Sequence, residues 1–110
     1  MLQKAQRIKK KSEISSVKQS RQYRIKGALL SLIAKDNNLD HSRIIVVAGK
    51  KLGNAVKRNL IRRRLANAFR QVNKLILKNI DIMIYPQVIH SDYKSICNEF
   101  KGSLKQCGLL

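Results

Sequence analysis

The sequence predicts a two-layer α/β (α+β) sandwich with the element order α-β-β-α-β-α. Two strand-length apolar segments, residues 27–34 and 42–49, are joined by the turn-like stretch 35–41. A long segment with apolar residues at helical spacing follows, and after it come a third apolar segment and a further helical pattern. Because the chain has 110 residues and is 44% hydrophobic, it suits a single domain, residues 1–110, with one core.

The N-terminal region predicts a basic arm followed by a short helix. Residues 1–11 hold five Lys or Arg without apolar periodicity, so we expect a partly mobile arm. Ser12 is suited to cap the helix, and Glu13 would lie at the positive end of the helix dipole. Ile14 and Val17, three residues apart, give this helix one narrow apolar edge.

Three segments predict β-strands. The segments "GALLSLIA", residues 27–34, and "SRIIVVAG", residues 42–49, should form an antiparallel pair, because the short link leaves no room for a crossover. The third segment, "IDIMIY", residues 80–85, is ended by Pro86.

Two longer segments predict helices. The first begins near Ala55, after Gly53 and Asn54 interrupt the strand pattern. At about 100° per residue its apolar side chains fall on one stripe, which comprises Ile61, Leu65, Ala68, Phe69, Val72 and Ile76. Residues 91–107 predict the last helix from the same kind of spacing, carried by Ile96, Phe100 and Leu104.

The charge of the chain predicts a polyanionic partner. The formal net charge is +18, and residues 1–80 carry all of the excess, since residues 81–110 hold three charges of each sign. Residues 41–80 contain no acid, and such segregation favours a nucleic-acid-binding face. No apolar run is long enough to span a membrane or to act as a secretion signal. Cys97 and Cys107 lack metal-site spacing, so we expect reduced thiols of a cytoplasmic protein.

The polar face of the central helix is the predicted binding surface. Opposite the apolar stripe lie Asn59, Arg63, Asn67, Arg70 and Lys74, with Arg62 and Arg64 towards the edges. Arginine pairs bidentately with phosphate, and the first N–H groups of the helix would present a further anion site. The basic residues around that site are Lys50, Lys51, Lys57 and Arg58. The alternative is a solvated basic face, but there is no acid to support the helix through Glu–Lys pairs.

The stretch "KKLGNAVKRNLIRRRLANAFR", residues 50–70, resembles the signature of the bacterial ribonuclease P protein subunit, approximately K-K-x-G-N-A-V-x-R-N-R-x-[KR]-R-x-x-R-x-A-F. The matching residues are Lys50, Lys51, Gly53, Asn54, Ala55, Val56, Arg58, Asn59, Arg62, Arg63, Ala68 and Phe69. Weaker similarity in "RIKKKSEISSV" and "DHSRI" extends the resemblance over nearly the whole chain.

The resemblance implies both a fold and a function. Members of the family have a sandwich with a small mixed sheet and a left-handed βαβ crossover, which is rare. They bind a large catalytic RNA that uses Mg²⁺ to remove the 5′ leader of precursor tRNA, so the protein holds no catalytic residue and no metal site. The implied surface for the RNA subunit comprises Lys50, Lys51, Gly53, Asn54, Arg58, Asn59, Arg62, Arg63, Arg64 and Arg70. The implied leader cleft, between the first helix and the sheet, comprises Lys10, Lys11, Ile14, Val17, Leu30 and Leu32.

The sequence departs from the family pattern at four positions. Leu60 replaces the second Arg of the Arg-Asn-Arg motif, and Ala66 stands where an Arg is usual. In the first helix, Ile14 and Lys18 occupy the places of two Phe. We therefore expect the leader to be held more by charge than by aromatic stacking.

Two other functions stay open from the sequence. A small ribosomal or ribosome-assembly protein would share the charge and size, and a DNA-binding module could place the basic helix in a major groove. A protein-only nuclease is disfavoured, because His41 and His90 are isolated and the six acids lack the spacing of a two-metal site. No protein oligomer is indicated.

Overall fold

The computed structural model describes residues 7–8, 10–87 and 93–110. These residues form, in chain order, α1 (Lys11–Gln19), β1 (Tyr23–Lys26), β2 (Leu30–Asp36), β3 (Arg43–Val46), α2 (Ala55–Val72), β4 (Ile80–Pro86) and α3 (Tyr93–Gln106). Short 3-10 turns, Lys50–Leu52 and Asn73–Leu75, flank α2. The predicted α+β class is confirmed, with one strand more than the sequence indicated.

The strands form one mixed sheet in the order β1-β2-β4-β3. Neighbours are antiparallel except β3 and β4, which are parallel and are connected through α2. The predicted antiparallel pairing of residues 27–34 with 42–49 is wrong, because β4 lies between β2 and β3. Ile82, Met83 and Ile84 are fully buried along β4, and a strand that is apolar on both faces gains most at the centre of a sheet. The hand of the β3-α2-β4 crossover stays a prediction.

Strand β1 is not among the strands predicted from the sequence. Arg24 and Lys26 are exposed, whereas Tyr23 and Ile25 are half-buried. The strand lies at the edge of the sheet and pairs only with β2. Charged side chains are usual on edge strands, because they discourage pairing with a second chain. The polar composition that hid the strand therefore suits its position.

The start of the described chain differs from prediction in two respects. Helix α1 begins at Lys11, so Ser12 lies inside its first turn, and the predicted Ser12 cap is wrong. Lys10 occupies the cap position and makes no side-chain cap hydrogen bond. In the basic arm, the N–H of Ile8 donates to the Ile44 carbonyl at 3.1 Å, and Arg7 pairs in parallel with Ile44. Part of the arm thus extends the sheet beyond β3; residues 1–6 and 9 lie outside the described residues.

The core lies mainly between the sheet and the pair α2 and α3. The predicted stripe of α2 is buried from Ile61 to Val72, and Ile76 packs against the same cluster from beyond the helix end. Helix α3 contributes Ile96, Phe100 and Leu104, as predicted. Cys97 and Cys107 are free thiols. Helix α1 covers the opposite face of the sheet through a smaller cluster around Val17.

No helix within the described residues combines the length and the apolar character needed to cross a bilayer.

Candidate nucleic-acid interface

The entry to α2 is built by two residues of the motif. Gly53 has a φ of 139°, a conformation that disfavours side chains, so a glycine is required at this turn. Asn54 follows as the helix N-cap, and its side chain accepts a hydrogen bond from the N–H of Lys57 at 3.0 Å. Lys50 and Lys51 lie exposed in the preceding 3-10 turn. Helix α2 thus begins at Ala55, as predicted, and two exposed lysines precede its start.

The predicted binding face of α2 points away from the core. Five of its polar residues are exposed, namely Asn59, Arg62, Arg63, Asn67 and Arg70. Arg58 and Arg64 are half-buried at the sides of the helix. Arg62 donates from Nη1 to Oδ1 of Asn59 at 3.1 Å, which orders two of the exposed side chains relative to each other. Leu60, which stands in place of a family arginine, is 36% exposed on the same helix.

Two exposed arginines of α2 make no ion pair within the described part of the chain. Neither Arg62 nor Arg63 takes part in an ion pair with another described residue, in contrast to Arg43, which pairs with Glu13 and Asp81. Uncompensated like charges on one helix cost stability through mutual repulsion. A polyanion bound to this face would relieve that repulsion.

The predicted leader cleft requires a correction. Leu30 and Leu32 are fully buried in the cluster beneath α2 and α3, on the face of the sheet opposite α1, so neither side chain can line a cleft beside α1. Side chains alternate along a strand, and it is Ile33 that packs against Val17 of α1. Val17 is itself fully buried, which leaves Ile14 as the apolar residue of the predicted set that is partly accessible.

An open part of the α1 face of the sheet lies beside that packing. The cross-strand register places Lys26, Ser31 and Tyr85 in one row, and Arg24 lies opposite Ile33 in the next. Lys26 and Arg24 are exposed and Tyr85 is half-buried. These residues are not among the predicted leader-cleft residues, because β1 is not among the predicted strands; the alternation of apolar with basic residues in "YRIK" is the sequence signal for them. Lys10, Lys11 and Lys18, all exposed on or next to α1, add charge nearby.

A buried ionic cluster fixes α1 to the sheet. The guanidinium of Arg43 donates to both carboxylate oxygens of Asp81, at 2.8 and 2.6 Å, and to Glu13 of α1 at 2.8 Å. Asn37 donates a further hydrogen bond to Asp81 at 2.9 Å. The hydrogen bonds to Asp81, and to a smaller extent the one to Glu13, raise the pKa of Arg43 above its ordinary value, although burial lowers it. The orientation of α1 over the sheet is therefore set by charged groups as well as by Val17.

The described residues do not bring together a metal-binding cluster. No group of three or more His, Cys, Asp or Glu in residues 7–8, 10–87 and 93–110 could hold a metal ion. His41 lies on a surface turn, with Nδ1 at 2.7 Å from Oδ1 of Asp40, and this hydrogen bond lowers the pKa of Asp40. His90 is outside the described residues.

The known proteins that are similar to this chain share one description. A family model described as Ribonuclease P matches residues 2–108. The ribonuclease P protein component of Chromobacterium violaceum is 40% identical over 81 residues, which cover 73% of this chain and 65% of that protein. The ribonuclease P protein component of Thermotoga petrophila is 33% identical, and the match spans 55% of that protein's length. The Clostridium novyi protein component is 28% identical over 98% of both chains.

The fold is shared with solved structures of the same kind of protein. The Staphylococcus aureus RNase P protein superposes with a TM-score of 0.84 at 28% identity, covering 96% of this chain and 98% of that one. The RNase P protein of Thermotoga maritima, at 21% identity, gives a TM-score of 0.81 over 91% of this chain and 96% of that one, which supports the fold alone.

Proposed function

The chain belongs to the ribonuclease P protein family, and on that premise we propose that it is the protein subunit of a ribonucleoprotein that removes the 5′ leader of precursor tRNA in the cytoplasm. The family membership supports an RNA partner. The proposal adds that this partner is the catalytic RNA subunit, that the RNA performs the cleavage, and that the protein binds both RNAs.

One observation carries the assignment of the RNA-binding surface. The exposed face of α2 holds Arg62, Arg63 and Arg70 with no acid from residue 41 to residue 80. Arginine forks match phosphate oxygens, and each contact releases a condensed counterion from the RNA. Lys50 and Lys51 would extend the same contact around the start of the helix. This surface would dock the RNA subunit, while the buried stripe on the other side of α2 secures the helix to the sheet.

The leader would bind at the open part of the sheet beside α1. Lys26 and Arg24 would contact its phosphates, and the half-buried ring of Tyr85 offers a surface on which one base can stack. Stacking on an aromatic side chain contributes about 1–3 kcal/mol per base without sequence preference, which suits leaders of differing sequence. Lys10 and Lys11 would add charge from the start of α1.

Mg²⁺ enters this proposal as a cofactor of the RNA. The metal would activate the attacking water and stabilise the departing oxygen at the scissile phosphate when it is bound by RNA groups. The proposal assigns this metal to the RNA and not to a site on the protein. Fixed cations on the protein would instead neutralise phosphates where two RNAs approach each other, so that less free Mg²⁺ is needed.

Reconstitution tests the proposal. A bacterial ribonuclease P RNA is mixed with precursor tRNA at an Mg²⁺ concentration where the RNA alone is slow, with and without the protein. We expect the protein to accelerate leader removal, Arg63→Ala to require more protein for the same effect, and Lys105→Ala, an exposed charge on α3, to match the wild type. No acceleration by a folded protein would contradict the proposal and favour a small ribosomal protein.

A variant in the leader surface tests the second half of the proposal. Tyr85→Leu removes the ring but keeps an apolar side chain against Ile33 and Met83. We expect weaker binding of precursor tRNA by the reconstituted complex and unchanged binding of mature tRNA, which has no leader. Equal loss for both tRNAs would place the ring outside the leader contact.

A further inference from the structure

An open groove of about 1050 Å³ runs between α2 and the outer strand β3. One wall is a single face of α2, on which Val56, Asn59 and Ala66 recur at helical spacing. The other wall is formed by β3 and by the paired residues Arg7 and Ile8, which lengthen the sheet on that side. The N-terminal segment thus adds to the wall of the groove on the side of β3.

The lining of this groove combines an apolar floor with a basic and amide rim. Val56 is 75% exposed in the first turn of α2, and no other element in the described part of the chain buries it. Val46 and Ala66 are half-buried and continue the apolar surface inwards. Arg62 and Arg63 lie at the rim, and among the described residues no Asp or Glu lines the groove.

A helix that bound only the phosphate backbone of an RNA would not need the apolar floor of this groove. The bases of a duplex are stacked and paired, so a duplex offers charged phosphates and sugars to a helix face but no aromatic plane. An unstacked nucleotide offers both a flat apolar ring and a phosphate within reach of the same groove. Single-stranded RNA is recognised in this manner, with splayed bases against apolar and planar side chains. A groove of this volume accommodates one nucleotide with part of its neighbours.

We propose that the groove between α2 and β3 receives one unstacked nucleotide of the RNA bound by this protein. The base lies on Val56, Val46 and Ala66, and Arg62 and Arg63 contact the flanking phosphates. The amides of Asn59 and Asn67, which line the same groove, face the polar edge of the base. This inference rests on the proposed function and specifies that the RNA subunit is held at a splayed nucleotide as well as by backbone charge.

Ala66→Leu tests the groove without changing charge. The larger side chain fills the floor and leaves every arginine in place. We expect affinity for the RNA subunit to fall about 5- to 150-fold, equivalent to one lost stacked base at about 1–3 kcal/mol. The dependence of affinity on salt should keep its slope, because no phosphate contact is removed. Leu77→Ala removes apolar volume from a side chain that is 72% exposed and lies outside the groove, so it should bind like the wild type.

Two further measurements keep the test independent of folding. Val56→Ser alters a side chain that is 75% exposed, so it should leave thermal unfolding unchanged and weaken RNA binding in the same direction as Ala66→Leu. Adenosine monophosphate, titrated into the isotope-labelled protein, should shift the methyl resonances of Val56 and Ala66. Polyglutamate should not shift them, whereas an acidic-peptide site would respond to polyglutamate and not to the nucleotide.

The outcomes separate this inference from the proposed function. If folded Ala66→Leu and Val56→Ser bind the RNA subunit like the wild type while Arg63→Ala is impaired, the groove holds no nucleotide and the proposed function stands. If Arg63→Ala also binds normally, the assignment of α2 as the RNA-binding face is wrong as well, and both proposals fall.

Discussion

Asp81→Asn should destabilise the fold more than the loss of any exposed charge, because Asp81 is the buried anchor of Arg43. Asp81 is 4% exposed and accepts from Arg43 through both oxygens, at 2.8 and 2.6 Å, and from Asn37 at 2.9 Å. An amide at this position keeps one acceptor and turns a donor towards Arg43 or Asn37. Breaking a buried pair typically costs about 3–5 kcal/mol, and since Arg43 retains Glu13 we expect about 3 kcal/mol.

Glu13→Gln is the matched substitution at the other end of the cluster. The side chain of Glu13 is 32% exposed and makes one contact with Arg43 at 2.8 Å. Water screens such a pair, so its loss should cost about 0.5–1 kcal/mol. Equilibrium urea unfolding of both variants measures the difference between their free energies of unfolding. An unchanged slope of that free energy against urea concentration indicates that the transition stays two-state. Equal losses for the two variants, or no loss for Asp81→Asn, would refute the view that the sheet holds Arg43 and that Arg43 in turn holds α1.

Three further substitutions test the orientation of α2. Arg63→Ala should weaken binding to the RNA subunit by about 1–3 kcal/mol in a filter-binding titration and leave the melting temperature almost unchanged. Phe69→Ala should cost about 3–5 kcal/mol of stability in urea unfolding, since its ring is fully buried; normal stability would mean that the helix faces the other way. Leu60→Arg should tighten RNA binding by about 0.5–1.5 kcal/mol at little cost in stability. A lower melting temperature without tighter binding would show that Leu60 is packed as core.

Helix α2 could be predicted from the sequence because the residues that determine its start and its buried face are close together in the chain. The spacing of Ile61, Leu65 and Phe69 fixes the buried stripe, and once that stripe is fixed the position of Arg63 on the opposite face follows. The turn at Gly53 and the cap at Asn54 are equally local, because each depends on residues within one helical turn.

The sheet could not be predicted in the same way. Strand order depends on contacts between distant residues, and the link between β2 and β3 allows either a hairpin or the insertion of β4. Strand β2 is apolar on both faces, so its sequence does not tell whether Leu32 or Ile33 faces α1; the structure assigns Ile33. Placing Leu30 and Leu32 in the leader cleft failed for that reason. The sequence also could not predict the groove beside β3, because the groove is formed by α2, β3 and the N-terminal segment, which are far apart in the chain.

The salt dependence of binding to the RNA subunit tests the central claim, that the exposed face of α2 is a phosphate-binding surface. With about six to ten phosphates contacted, affinity should fall about 10³- to 10⁵-fold between 50 and 200 mM monovalent salt. Arg63→Ala should reduce the slope of log affinity against log salt by about one, as expected for one lost phosphate contact. A nearly flat salt response of the wild type, or an identical slope for Arg63→Ala, would contradict the account.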